Sequence, residues 1–316
     1  MKKILFLILM ISSSISMANY KILFSNSNVS LPEASSEDES QTTLASKMAA
    51  GYDFAVIIKN DGSLYAWGLD PFGVVNNVPA GNDFVMVSAG NQHAIAMKSN
   101  GDVIGWGRNR EGSTDTITGK NFKSISAGNG HNVGLLEDGS VYSWGADGYN
   151  QVSGAPITKD FVAVKAGGVH SVALKSDGSI VDWGYAPSIS GKPTLSNFNL
   201  IGAGDGHSLA LNGDNGNITL WGNTSDFNTA VYTPSKSPIY LDGGRRHAVA
   251  LNSDGTVTSF GANFTGEVNN NPTENGFVAV EAGRKFSLGL KNTGELVLWG
   301  SGESNQMTTN FPSNLE

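Results

Sequence analysis

The sequence predicts an all-β protein folded as a seven-bladed β-propeller, and three observations lead to this prediction. Every tryptophan is followed by glycine, and the tryptophans recur every 38 or 39 residues, with one double gap that Phe260-Gly261 divides. All five histidines lie 13 or 14 residues before one of these aromatic residues. Glycine is abundant, at 40 of 316 residues, without a collagen-like period. Seven copies of a repeat about 39 residues long indicate a propeller, a solenoid or an array.

Each repeat is predicted to contain three short strands. In the fourth repeat they are the segments Phe161–Gly167, Ser171–Lys175 and Ser179–Gly184. The second and third strands are joined by Asp-Gly or a related pair in every repeat, which supplies the positive φ that a tight hairpin turn needs. The third strands are apolar on both faces. Because such sheets must be covered on both sides, we favour radially packed propeller blades over a solenoid with open ends.

The chain divides into three predicted parts. Residues 1–18 have the pattern of a secretory signal peptide: Lys2 and Lys3, the apolar run Ile4–Ile11, and a small-residue cleavage site after Ala18. That run is too short for a membrane span, which takes about 20 residues. Residues 19–43 are predicted to form a polar, acidic arm or linker, and residues 44–316 the propeller. The protein is therefore expected to be secreted or periplasmic and to have no membrane span.

Composition and frame position argue against several kinds of chemistry. Cysteine is absent, which excludes disulfides and thiolate metal sites. The net charge of −8 argues against nucleic-acid binding, which normally needs basic surfaces. The histidines occupy one frame position around the ring, so they are expected to be structural, bonded to backbone between blades, and not catalytic or metal-binding. We expect no cofactor and no enzymatic activity.

The repeat AGGVHSVALKSDGSIVDWG, residues 166–184, resembles the regulator of chromosome condensation repeat. The segment AGNGHNVGLLEDGSVYSWG, residues 127–145, carries the same pattern. The resemblance implies a seven-bladed propeller. The short repeat and the export pattern are most similar to the secreted bacterial β-lactamase-inhibitory propellers, which are binding proteins. No contact residue of those proteins can be placed on this chain, because the loops share no motif.

Strand direction predicts which loops share a face. The Gly-x-x-His connections and the loops after Trp-Gly should lie on one face, and the Asp-Gly turns on the other. Residues on the first face differ from blade to blade, as expected of a binding surface. The candidate binding residues are Tyr52, Asp53, Asp70, Phe72, Gln92, Arg108, Arg110, Tyr149, Tyr185, Asp205, Phe227, Arg245, Arg246, Phe264, Arg284 and Lys285. The last two blades should bring four of these cations together, and reversing their charge should leave thermal melting unchanged.

The predicted function is that of an exported protein-binding module, an inhibitor of an extracellular or periplasmic hydrolase. The partner would be another secreted or envelope protein, bound by a monomer of this chain. A glycan-binding propeller is the alternative, with Tyr149, Tyr185 and Asn-rich loops as contacts. An enzyme that uses a pair among Asp53, Asp70, Asp147 and Asp205 stays open, but nothing in their spacing selects a pair.

Overall fold

The computed structural model describes residues 46–300, 305–308 and 310–312. The predicted signal peptide and the 19–43 arm lie outside the described residues. The described chain forms seven antiparallel sheets, which we number as blades 1 to 7 in chain order.

The strands follow one another in three per blade, with one additional short strand. Blade 1 contains β1 (Met48–Ala50), β2 (Phe54–Ile58) and β3 (Leu64–Gly68); blade 2, β4 (Phe84–Ala89), β5 (His93–Lys98) and β6 (Val103–Gly107); blade 3, β7 (Phe122–Ala127), β8 (His131–Leu136) and β9 (Val141–Gly145); blade 4, β10 (Phe161–Ala166), β11 (His170–Lys175) and β12 (Ile180–Gly184); blade 5, β13 (Phe198–Ala203), β14 (His207–Asn212), β15 (Ile218–Gly222) and β16 (Val231–Tyr232); blade 6, β17 (Pro238–Gly243), β18 (His247–Asn252) and β19 (Val257–Gly261); blade 7, β20 (Phe277–Ala282), β21 (Phe286–Lys291) and β22 (Leu296–Gly300). Two single-turn helices, α1 (Ala186–Ile189) and α2 (Asn305–Thr308), follow β12 and β22.

The sheets pack side by side into a closed ring. Seven clusters of buried apolar residues lie one between each pair of neighbouring blades, including blades 7 and 1. The cluster between blades 7 and 1 joins Leu288 and Leu296 to Ile57 and Trp67. The backbone N–H of Arg284 also donates to the carbonyl of Tyr52 across this boundary, at 3.2 Å. The predicted seven-bladed propeller is therefore confirmed.

The hairpin turns have the backbone conformation that the Asp-Gly pairs predict. The glycine of each turn has a φ between +70° and +87°. In blade 1 the Asp61 carboxylate accepts hydrogen bonds from the backbone N–H and the hydroxyl of Ser63, at 2.9 and 2.6 Å. Asp138, Asp177 and Asp254 repeat this contact with the residue two positions later. These carboxylates stabilise turns, as the sequence indicates.

One buried residue from the loop after each Trp-Gly packs against the Trp-Gly of the next blade. We call these the junction residues. They are Val74, Ser113, Gln151, Ser188, Phe227, Glu267 and Met307, all at most 5% exposed. The Trp-Gly glycines have φ between +78° and +110°. A Cβ there would collide with the histidine-slot region of the paired second strand or with the junction residue. Met307, in α2, contacts Gly68, so the ring closes between blades 7 and 1 by the same device.

We expect truncation of the junction residue Phe227 to destabilise the ring. Phe227 is 5% exposed and packs between blades 5 and 6 against Phe260. Phe227→Ala should lower the free energy of unfolding by about 3 kcal/mol, because it leaves a cavity in that interface. Phe264→Ala is the matched control, since this side chain is 66% exposed. Urea unfolding of both variants checks the prediction, which an equal effect of the two would contradict.

Candidate loop-face binding site

The two ends of the propeller differ in chemistry. The Gly-x-x-His connections and the loops after Trp-Gly form one end, which we call the loop face. The Asp-Gly hairpins form the other end, the turn face. The strand pairings place each connection at the end of its sheet opposite the hairpin. The loop face therefore carries all the candidate residues together, on connections from seven blades.

The histidines are buried beneath the loop face and link neighbouring blades. The Nε2 atom of His93 donates to Asn132 Oδ1 at 2.8 Å. His131, His170 and His247 contact the hydroxyls of serines in the next blade at 2.8 to 2.9 Å. Their partners are Ser171, Ser208 and Ser287. These contacts join neighbouring blades, in agreement with the structural role that the sequence predicts.

Burial keeps all five imidazoles neutral. It lowers the pKa of His93, His170 and His247 to about 4, and that of His131 and His207 to about 3. At His207 the position that holds asparagine or serine in the other pairs is Ala248, and the imidazole lies against the Phe227 ring, with the ring centroids 4.6 Å apart and the planes tilted by 60°. Neutral, interblade imidazoles have no access to a substrate on the loop face.

Seven residues, one from each blade, surround the channel mouth on the loop face. They are Tyr52, Asn91, Asn129, Gly168, Asp205, Arg245 and Arg284. Each directly follows the Ala-Gly pair, or Gly243-Gly244, at the end of the first strand of its blade. The space that they line is about 70 Å³, whereas small-molecule sites usually measure about 300 to 1,000 Å³. The channel mouth is therefore too small for a metabolite.

Hydrogen bonds and ion pairs cross this mouth. Asn129 Nδ2 donates to Asp205 Oδ1 at 2.8 Å, and Arg245 Nε lies 3.9 Å from Asp205 Oδ2. Gly168 lies between Asn129 and Asp205, and a Cβ there would be 2.4 Å from Asp205 Oδ1. On the other side, the Arg284 guanidinium packs over the Tyr52 ring at 4.4 Å. Tyr52, Asp205, Arg245 and Arg284 are thus fixed by neighbours.

The arginines of blades 6 and 7 are paired with carboxylates. Arg284 pairs with Asp53 at 3.3 Å, and Arg246 pairs with Asp226 at 3.6 Å. Together with the Arg245–Asp205 pair, each arginine of blades 6 and 7 faces a carboxylate. Charge reversal at Arg245, Arg246, Arg284 and Lys285 would place acids against these carboxylates. That variant is expected to melt at a lower temperature, contrary to the expectation from sequence.

Two further candidates serve their own loops. Phe227 is a buried junction residue, so it is not an exposed anchor, and this correction follows from its packing between blades 5 and 6. Asp70 accepts hydrogen bonds from the backbone N–H groups of Val75 and Asn76, at 2.8 and 3.1 Å. Asp147 does the same for Val152 and Ser153 in blade 3. A cavity of about 510 Å³ borders Asp70 at the outer side of blade 1, but this carboxylate is turned to its loop.

The four carboxylates considered for glycoside hydrolysis have separate partners. Asp53 pairs with Arg284, and Asp205 contacts Asn129 and Arg245. Asp70 and Asp147 cap their loops. The structure brings no two of them together as an acid and a base in the contacts described.

The remaining candidates are exposed or half-buried on the loop face in three groups. Phe72, Arg108 and Gln92 form one group: Arg108 packs over Phe72 at 4.7 Å and donates to Gln92 Oε1 at 2.7 Å. A second group comprises Arg110, Tyr149 and Tyr185, with the tyrosine rings 4.8 Å apart. Arg246 and Phe264 form the third, at 5.7 Å. Lys285 is half-buried near this group, and its carbonyl accepts from the Thr265 hydroxyl at 3.0 Å.

The sequence did not predict a cluster of charged residues that lies inside the channel. Lys165 Nζ donates to the Tyr240 hydroxyl at 2.7 Å and lies 3.6 Å from Asp242 Oδ1. Tyr240 donates to Glu281 Oε1 at 2.7 Å, and Asp242 Oδ2 accepts from the backbone N–H of Ala282. Blades 4, 6 and 7 thus meet across the channel. Burial, assisted by Asp242, raises the pKa of Glu281 to about 8.

The signal for this cluster is present in the repeat frame. Lys165, Asp242 and Glu281 each lie two residues before the glycine that ends the first strand of their blade. The same position holds Ala, Ser or Gly in the other four blades. Charged residues at one inner-strand position in three of seven repeats would have identified it.

Within residues 46–300, 305–308 and 310–312, no group of three or more His, Asp or Glu side chains has the arrangement of a metal site. None of the helices in these ranges has the length and apolar character needed to cross a membrane.

Comparisons with known proteins agree with the fold. The family model for the "Regulator of chromosome condensation (RCC1) repeat" matches residues 45–74, 84–113 and 122–151, in blades 1 to 3. A search of curated proteins gave no match.

Solved structures extend the likeness over most of the chain. The CRINKLY ectodomain of the Arabidopsis thaliana receptor kinase ACR4 is 22% identical, with a TM-score of 0.67, over 82% of this chain and 98% of that one. The ectodomain of the Physcomitrella patens receptor kinase CR4 is also 22% identical, with a TM-score of 0.69, over 82% and 73%. Prp20p of Saccharomyces cerevisiae, described with its binding to Gsp1p and histones, is 19% identical, with a TM-score of 0.63, over 77% and 82%. At these identities the likeness shows the fold.

Proposed function

We propose that this chain, whose first three blades belong to the RCC1 repeat family, is a protein-binding module that uses its loop face. The observation that carries the proposal is the one-sided exposure of aromatic rings on fixed loops. Phe72, Tyr149, Tyr185 and Phe264 are 39 to 66% exposed, and each lies two or three residues before a buried junction residue. Exposed aromatic and arginine side chains on a rigid frame are the usual anchors of protein interfaces.

The turn face offers less to a partner. Its hairpins repeat one Asp-Gly or related turn, and their carboxylates are used within those turns. Ile157 and Leu195, which are 95 and 66% exposed, lie in the segments that lead to the first strands of blades 4 and 5. Val85, Val162 and Ile239, near the start of their first strands, are 38 to 45% exposed. All three occupy the bulge position of a first strand, so their place follows from the frame of the repeat.

The proposed site of action is outside the cytoplasm. The pattern of residues 1–18 predicts export, and two of the solved propellers above are ectodomains of receptor kinases. The partner would then be a secreted or envelope protein. If that partner is a hydrolase, the loop face would inhibit it by covering its active-site opening, which an activity assay with the purified pair would detect.

The test compares two variants that remove exposed apolar side chains from opposite faces. The loop-face variant carries Phe72→Ser, Tyr149→Ser, Tyr185→Ser and Phe264→Ser; the turn-face variant carries Val85→Ser, Val162→Ser and Ile239→Ser. The full chain and both variants would be cross-linked to secreted and envelope proteins of the producing cells and analysed by mass spectrometry. We expect one stoichiometric partner, retained by the turn-face variant and lost by the loop-face variant. Loss with the turn-face variant alone would refute the proposal, and thermal melting would verify that both variants fold.

Glycan binding is the second candidate, because the adjacent Tyr149 and Tyr185 rings expose apolar surface on which a sugar could stack. A glycan array probed with the full chain and with Tyr149→Ser/Tyr185→Ser tests it. Retention on a defined glycan by the full chain, with no protein partner in the cross-linking experiment, would support this candidate.

A further inference from the structure

Blades 2, 3 and 4 carry three anchor side chains on successive loops of the loop face. Arg110, Tyr149 and Tyr185 form a set that we call the Tyr–Arg patch. The loops of blades 2 and 3 are in contact, since the backbone N–H of Asp147 donates to Glu111 Oε2 at 3.2 Å. Tyr149, two residues after Asp147, packs edge-on against Tyr185 of blade 4 at 4.8 Å. Contacts between neighbouring loops therefore connect the three blades.

The backbone at each residue of the patch is bonded to the junction residue of its own loop. The backbone N–H of Arg110 donates to the hydroxyl of Ser113 at 2.9 Å, and the N–H of Ser113 returns to the Arg110 carbonyl at 3.0 Å. The N–H of Tyr149 donates to Gln151 Oε1 at 2.7 Å.

Tyr185 is held in a related way. Its carbonyl accepts from the N–H of the junction residue Ser188, and its own N–H donates to the carbonyl of Val169, both at 2.9 Å. Because the three junction residues are at most 4% exposed, the loops are ordered before any partner arrives. Such preorganisation reduces the entropy that binding must overcome.

The Arg110 side chain reaches from blade 2 onto blade 3. It lies over Gly130, where a Cβ would be 2.8 Å from Arg110 Cδ. Arg110 therefore contacts the blade whose next loop carries Tyr149.

The charge of Arg110 is not balanced by the described residues. The arginines of blades 6 and 7 each face a carboxylate, whereas Arg110 makes no ion pair within the residues that the structure describes. Two acids of the same pair of loops, Glu111 and Asp147, accept hydrogen bonds from backbone N–H groups. Glu111 accepts from Asp147, and Asp147 accepts from Val152 of its own loop. A cation on the loop next to that of the tyrosine pair fits a carboxylate with an apolar group adjacent to it.

We infer that the Tyr–Arg patch binds an acidic segment of a partner protein, with a carboxylate on Arg110 and an adjacent aromatic or aliphatic side chain on the two tyrosines. This inference rests on the proposed function and assigns the sector of the loop face and the chemistry of the occupant.

The test selects binders for the full-length wild-type chain from a display library of short random peptides. The expected pool is enriched in Asp and Glu next to aromatic or aliphatic residues. Synthetic peptides from this pool should lose about tenfold or more in affinity, measured by calorimetry, with Arg110→Glu and with Tyr149→Ser/Tyr185→Ser. Raising the salt concentration should weaken the wild-type complex, because the contact is partly ionic.

Two matched controls make the assignment specific. Val85→Ser removes a side chain of the turn face that is 39% exposed, as Tyr185 is, and Ile157→Ser removes a 95% exposed side chain outside the loop-face anchors. Both should leave peptide affinity unchanged.

Other outcomes would overturn the inference. A pool without acidic enrichment, or affinity that depends on Phe264 and not on Arg110, would reject the Tyr–Arg patch, while a partner recovered by cross-linking would leave protein binding in place. Binding of an acidic polysaccharide such as polygalacturonate, lost with Arg110→Glu, with no peptide selected, would replace the protein occupant by a glycan.

Discussion

Acidification from pH 7 to pH 5 is expected to unfold the protein, because five buried histidines must gain protons when the chain unfolds. Burial lowers the pKa of these imidazoles to about 3 or 4 in the folded state, from 6.5 in a free side chain. The unfolded chain therefore binds more protons below pH 6.5. The stability that the neutral histidines provide is complete above pH 6.5 and is lost as the pH falls towards 4. Between pH 7 and pH 5 the five together remove about 9 kcal/mol.

One buried carboxyl acts in the opposite direction. The pKa of Glu281 is raised to about 8 from 4.5, so the folded state holds an extra proton whose contribution is complete below pH 4.5 and is lost as the pH rises through 8. Protonation of this group raises the free energy of unfolding by about 2 kcal/mol as the pH falls from 7 to 5. The net loss of about 7 kcal/mol is comparable with the whole stability of a typical domain.

Urea unfolding at a series of pH values from 8 to 5 measures this loss, and the propeller itself supplies the control. Where the histidine slot holds Phe286, the facing residue of the next blade is Ala55, and both are buried in one cluster. His170→Phe/Ser208→Ala copies that pair and removes one titrating group. The slope of stability against pH should then fall by about 1.4 kcal/mol per unit at pH values near 5. Equal slopes for wild type and variant would refute the assignment to the histidines.

Removal of Lys165 from the channel is expected to have the second large effect. Lys165→Met leaves the Asp242 carboxylate, which is 12% exposed, without its cation and beside Glu281. Breaking one partner of such a pair should lower the free energy of unfolding by about 3 kcal/mol. Asp242→Asn should lower the free energy of unfolding by less. Glu281 can then ionise and serve as the counter-ion of Lys165, to which it is connected through the Tyr240 hydroxyl.

The double variant Lys165→Met/Asp242→Asn separates charge from packing. We expect it to regain most of the stability lost in Lys165→Met, because no unpaired charge is left in the channel. Urea unfolding at neutral pH of the two single variants and the double variant gives the coupling energy. Additive losses would show that the stem of Lys165, not its charge, holds blades 4 and 6 together.

The repeat frame could be predicted from sequence because equivalent positions meet equivalent surroundings in every blade. The glycine of Trp-Gly needs a positive φ, and the tryptophan covers the interface to the preceding blade, so both recur. The histidine slot was predicted to be structural for the same reason.

The junction residues in the loops after Trp-Gly could not be predicted, because they share no residue type and their spacing varies. The junction residue lies seven residues after the aromatic residue of the frame in four blades, but five after it at Ser188, six at Phe227 and eight at Met307. Val, Ser, Gln, Phe, Glu and Met all serve, since each interface offers a differently shaped gap. The sequence therefore does not distinguish the buried Phe227 from the exposed Phe264.

The carboxylate partners of the arginines in blades 6 and 7 could be predicted only in part for a related reason. Ring adjacency placed the arginines of blades 6 and 7 together correctly, but the carboxylates that neutralise them come from blades 1 and 5. The ion pair between Arg246 and Asp226 depends on the path of the loop after Trp221-Gly222, which the repeat does not specify.

Closure of the ring by a junction residue has a consequence for cooperativity. A linear repeat array frays from its terminal units, because each of these has only one neighbour. Here blade 1 has a partner on both sides, through Met307 and the cluster that joins it to blade 7. A lesion in any blade weakens two interfaces, and the ring offers no end at which unwinding could start. The propeller should therefore lose its seven sheets in a single transition, with coincident midpoints for tryptophan fluorescence and far-ultraviolet circular dichroism.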